Sequence, residues 1–198
     1  MDISKIDKEL YSRIVRNVNA LLGKYITFNK NCSIEPIEQT FFPNSRLLSI
    51  TDYDCIPASK LIVVDNGVQV YPLTGLGQWN SLLMNERLNL NIKNVLEYLK
   101  LYYSTYLFPY QYQKIVETVN DLDFIEFPEL ELFEVISHQI QAPVVTLSNN
   151  QFTIYCNITA DRSLYNAAFD IYPDGKVLLL DKKVVLQDLP IGEMVIDL

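Results

Sequence analysis

From Pro143 onward the apolar residues stop recurring at helical spacing and begin to alternate. The runs are Val144 to Leu147, Gln151 to Thr159, Tyr165 to Tyr172, Lys176 to Leu180 and Lys183 to Leu186, with Asn149-Asn150 and Pro173-Asp174-Gly175 as turns between them. Strands joined by turns this short pair antiparallel, since a parallel neighbour needs a crossover of about a dozen residues or more. The period therefore predicts an antiparallel meander. Ile154, Cys156 and Ile158 face the core with Ala167, Phe169 and Ile171, while Thr153, Tyr155 and Asn157 face the other way.

Upstream the pattern is mixed. Ser4 and Asp7 resemble a capping box, and Ile6, Leu10, Ile14, Val18, Leu21 and Leu22 follow at helical spacing until Gly23, which predicts an amphipathic first helix. Lys24 to Asn44 holds Pro36 and Pro43 and reads as an irregular segment or a short edge strand. Leu47 to Thr51 is a strand, and Leu61 to Val64 meets Val68 to Tyr71 across Asp65-Asn66-Gly67, a hairpin signal. Thr74 to Asn80 reads as a tight connection covered by Trp79, and Asn91 to Leu107 as a long helix that ends before Pro109. Pro128 suits the first position of another helix, with Leu130, Phe133, Ile136 and Ile140 on one stripe.

The fold class expected is thus α+β: an amphipathic N-terminal helix, a β-hairpin region, a long central helix and a C-terminal antiparallel β-meander. One domain over 1–198 is the simplest organisation, with a subdivision near 142 as the alternative. At 198 residues, 49% of them hydrophobic and 20% charged, the chain is large and apolar enough to form a core without disulfides. Its three cysteines, Cys32, Cys55 and Cys156, lie far apart with no CxxC pair, so they read as reduced thiols. Met1 to Leu10 lacks the basic start and apolar run of a signal peptide, and cytoplasmic residence is the expectation.

The net charge of −8 is local. No lysine or arginine occurs between Lys114 and Arg162, where eight acids fall, and the rest of the chain balances at 16 acids against 16 bases. Nucleic acids and anionic membranes need clustered cations to displace counterions, so neither is an expected partner, whereas a basic protein is.

Candidate chemistry is sparse. His138, the single histidine, reads as a polar residue near a helix C-terminus, and no GxSxG elbow accompanies it. Asp52, Asp54 and Asp65 suit turns better than a shared cation. Gly75-Leu76-Gly77 lacks the rest of a phosphate-binding loop. The ring-rich run Tyr98, Tyr102, Tyr103, Tyr106, Phe108, Tyr110 and Tyr112 has too few cations beside it to read bases, and packs at helical spacing. No catalytic, metal or cofactor group is assigned.

The segment that stands out is Leu122 to Val135, where acids alternate with large apolar side chains. Such a pattern presents apolar anchors inside an acidic rim, which makes Glu126, Phe127, Glu129, Glu131 and Glu134 the candidate partner-binding residues. The function expected is a non-catalytic cytosolic interaction module of adaptor, regulatory or toxin-neutralising type. The alternative is a small-molecule-binding protein or enzyme, with a pocket between helices and a curved sheet lined by Trp79, Asp52, Asp54 and Tyr102.

Overall fold

The computed structural model describes residues 6–23, 27–28, 31–54, 59–106 and 113–192. Ser4, Cys55, Phe108, Pro109, Tyr110, Tyr112 and, within the segment Lys24 to Asn44, residues 24–26 and 29–30 lie outside them. The fold is α+β, with four α-helices and two antiparallel sheets among the described residues. Among the described residues no helix is long and apolar enough to cross a membrane. The chain divides into two compact units, Met1–Asn89 and Leu90–Asp197.

In the first unit α1, Lys8–Leu22, starts at Asp7, whose carboxylate accepts the Leu10 N–H at 2.8 Å. Ile14, Val18 and Leu22 are buried along one stripe, and Leu21, one position out of phase, is 59% exposed. The stripe packs on a four-stranded meander of β1 (Ser33–Ile37), β2 (Arg46–Asp52), β3 (Ser59–Asp65) and β4 (Val70–Pro72). Pro36 lies on the edge strand β1, where its missing N–H costs the ladder nothing on the open side. The expected hairpin is present: Asp65 pairs with Val70, and Gly67 takes the left-handed backbone at φ 89°. Two side chains reinforce the unit. Asn19 brackets Phe28 by accepting its N–H at 2.8 Å and donating to its carbonyl at 2.9 Å, and the Tyr11 hydroxyl donates to the Cys32 carbonyl at 2.8 Å.

The connection expected at Thr74 to Asn80 is instead the entry to a helix, α2, Leu76–Asn85. Gly75, at φ 126°, makes the turn into it, and Trp79 and Leu82 are fully buried. Ten residues of mixed polarity without a capping side chain carry little helical signal, which is why pattern alone misses them.

In the second unit the expected long helix is α3, Val95–Thr105, shorter at both ends than the apolar pattern suggests. Tyr98 is buried and donates to the Gly175 carbonyl at 2.6 Å, and Tyr103 meets Phe169 edge-on at 5.3 Å. The meander comprises β6 (Val144–Ser148), β7 (Gln151–Ala160), β8 (Ser163–Ile171) and β9 (Val177–Leu186). Its register sets Ile154 opposite Phe169 and Cys156 opposite Ala167, the core face that alternation predicts. The last two expected strands are one: a register shift between Ala168 and Phe169 bulges β9 at Leu180 and carries the strand through Lys182 and Lys183. A further strand, β5 (Lys114–Val116), pairs with residues 157–159 of β7, so that β5 and β6 share one side of β7. Finally α4, Leu130–Gln139, begins two residues later than Pro128 would place it, with Glu129 at the N-cap.

Candidate functional site

The acidic segment is shaped by what holds it at each end. As the chain leaves β5, the Asp121 carboxylate accepts the N–H groups of Glu117 and Thr118 at 2.9 and 2.8 Å and the Thr118 hydroxyl at 3.2 Å. Partial burial acts to raise this carboxyl, but the two amide hydrogens and the hydroxyl outweigh it and hold the group below the usual carboxylate range. Leu122 then drops into a core of Val116, Ile136, Leu164, Leu189 and Ile191.

Residues 123–125 are tied to the chain some 65 positions further on. Ile125 N–H donates to the Pro190 carbonyl at 2.9 Å, Gly192 N–H to the Asp123 carbonyl at 2.8 Å, and Phe124 and Ile191 form a β-bridge. On the far side Pro128 is buried and α4 is anchored by Ile136, which has no exposed surface. Between the two anchors residues 125–127 stand out from the surface.

Phe127 is 76% exposed. Its ring stands 6.0 Å from that of Phe124, edge-on, and 5.2 Å from that of Phe133, stacked at 27°. Each neighbour contacts the ring in a favoured aromatic geometry and leaves most of it exposed. Ile125 at 69% and Leu130 at 72% extend the exposed apolar residues, and Glu126, Glu129, Glu131 and Glu134 of the same segment are all exposed. Burial of one such ring is worth about 1.5–3 kcal/mol, so an aromatic held in the open forgoes stability in the isolated chain.

All five residues singled out from the sequence, Glu126, Phe127, Glu129, Glu131 and Glu134, thus lie on one exposed stretch. The expected stripe on α4 is only partly used: Ile136 is buried, Phe133 half-buried, and Leu130 turned outward. Ile125 and Leu130 were not singled out, since an apolar residue in an amphipathic pattern is ordinarily taken for core. His138 is exposed in the last turn of α4, its Nδ1 2.7 Å from the Glu134 carbonyl.

The residues of the alternative pocket reading are distributed differently. Trp79, Asp52 and Asp54 belong to the first unit and Tyr102 to the second. Asp52 is buried and accepts the Asp54 N–H at 2.9 Å, closing a turn. Asp65 pairs with Arg46 at one end of the β2–β3 ladder and Asp52 with Ser59 at the other. Six residues of strand, about 20 Å, therefore separate the two carboxylates. Tyr102 stacks on Tyr106 at 5.1 Å within α3 and its neighbouring turn. A depression of about 290 Å³ lies elsewhere, on the second unit's sheet, beside Val144, Tyr155, Asn166, Ala168, Asp181 and Lys183. None of Trp79, Asp52, Asp54 or Tyr102 lines it. At its inner side Asn157 is fully buried, with its side-chain oxygen accepting the Gln141 N–H at 2.7 Å and its amide donating to Asn166 at 2.8 Å.

No protein-family model, curated protein or solved structure matches this chain.

Proposed function

We propose that the protein is a cytosolic interaction module that docks an acidic-aromatic knob onto a basic partner with an apolar cleft. The observation that supports this reading is Phe127, 76% exposed with the rings of Phe124 and Phe133 packed beside it. A pre-oriented aromatic surrounded by charge is the arrangement of an interface anchor, because its ordering has been met before the partner arrives. The surrounding glutamates act at longer range. They steer a basic surface toward the knob and suppress acidic competitors, an effect that weakens as salt screens it.

The test is capture of partners from native lysate at low and high salt by three proteins: wild type, Phe127→Ala, and the triple reversal of Glu129, Glu131 and Glu134 to lysine. A basic protein retained by wild type at low salt and lost from both variants supports the module. Equal retention by all three rejects it.

One observation favours a second reading, a small-molecule binder: the depression beside Tyr155 combines a ring exposed at 54% with the side chains of Asn166, Asp181 and Lys183. Native mass spectrometry of the purified protein tests this. A bound metabolite lost in Asn166→Ala favours the binder, and a bare mass in every preparation rejects it.

A further inference from the structure

The second unit's sheet is finished on one side and open on the other. β5 and β6 together cover the outer side of β7, whereas β9, ten residues long, pairs with β8 alone among the described strands. Its residues are exposed from Leu178 to Val184. An open edge offers unpaired N–H and C=O groups to a further strand.

The phase of the hydrogen bonds shows which groups the edge offers. Asp161 and Arg162, at φ 49° and 54°, form a two-residue turn of the primed type between Ala160 and Ser163. The pair flanking such a turn exchanges both backbone bonds, so Ser163, Tyr165, Ala167 and Phe169 point their backbone groups at β7. The Tyr165 carbonyl, 3.4 Å from the Asn157 amide nitrogen on β7, agrees. The residues opposite them on β9, namely Val184, Lys182 and Leu179, therefore direct their N–H and C=O groups away from β8 to the open side.

The strand's chemistry also reads the same in both directions: an apolar block Val177–Leu180, a charged centre Asp181-Lys182-Lys183, and an apolar block Val184–Leu186. We propose that β9 pairs antiparallel with β9 of a second copy about a dyad at Lys182, joining two five-stranded sheets. In that register Asp181 of each copy, which forms an ion pair with Lys183 of its own strand at 3.1 Å, also faces Lys183 of the other, and Val184 meets the bulged pair Leu179–Leu180 on either side, as an isologous contact requires. The lysines that meet at the dyad are drawn back, because each Lys182 ammonium lies 3.9 Å from the centroid of its own Tyr165 ring. This surface is separate from the acidic knob and does not depend on it.

Light scattering and sedimentation over a concentration series test the pairing on four proteins. Val184→Pro removes an outward N–H without touching the β8 ladder, and is expected to be monomeric with an unchanged circular dichroism spectrum. Lys183→Asp faces like charges across the dyad and is expected to weaken association about tenfold. Combining it with Asp181→Lys restores opposite charges and is expected to recover the dimer. A wild type that stays monomeric at the highest attainable concentration overturns the proposal, as does a dimer that both single variants leave intact.

Discussion

Arg13 donates through one guanidinium nitrogen to both carboxylate oxygens of Asp65, at 2.8 and 2.7 Å, and so ties α1 to the hairpin turn of the first unit. The same carboxylate accepts the Gly67 N–H at 3.0 Å. Asp65→Asn retains an acceptor for the turn but removes the charge opposite Arg13, at a site where the Asp65 side chain is 1% exposed. The expected loss is about 3 kcal/mol, the scale for breaking a buried pair on one side. Urea unfolding checks it.

Two alanine substitutions separate the knob from its support. Ile136→Ala opens a cavity under α4 and is expected to cost about 3 kcal/mol. Phe127→Ala, which removes a ring exposed at 76%, is expected to change stability by no more than about 0.5 kcal/mol. Equal losses in thermal denaturation would show that Phe127 is a packing residue.

The pH dependence follows from groups that the fold keeps neutral. Burial pushes the Cys156 thiol up to about 12, helped by the charge of Glu117. Burial and the contact with Cys32 raise Tyr11 to about 12, and burial raises Tyr98 and Tyr103 further. In the unfolded chain thiols ionise near roughly 8.5 and phenols near about 10. Above those values the folded state binds more protons than the unfolded one. These groups therefore contribute fully below about pH 8.5 and their contribution is lost as pH rises toward about 12. Urea midpoints are expected to hold between neutral pH and about 8.5 and then fall, with a shallower fall in Tyr11→Phe.

The Asn149-Asn150 turn places both residues in the left-handed region, at φ 49° and 61°. Asn-Gly is the pair best suited to that geometry. Asn150→Gly is expected to raise stability by a few tenths to about 1 kcal/mol, measured as an increase in Tm.

What was legible in the sequence is what repeats. Alternation from Val144 to Leu186 predicts the meander and its core face, and the spacing of Ile14, Val18 and Leu22 predicts the face that α1 buries. Elements set by single contacts leave no such trace. β5 is three residues long and exists because Ile115 and Val116 find Ile158 and Asn157 across a gap of more than 40 positions. α2 rests on Trp79 and Leu82 within ten residues of mixed polarity, where Leu76 and Met84 are exposed. The knob lies between these extremes: alternating acids and rings mark the segment, but Phe124, Phe127 and Phe133 come together because Leu122 is buried before the exposed stretch and Pro128 and Ile136 after it.

The bonds that join Asp123 and Ile125 to Gly192 and Pro190 make the knob and that later segment a single thermodynamic unit. A partner that recognises Phe127 only in its held orientation binds the closed arrangement and not the frayed one. By reciprocity it then also stabilises residues 189–192. The Gly192 amide, remote in sequence from the contact, becomes a reporter of occupancy through its slowed hydrogen exchange.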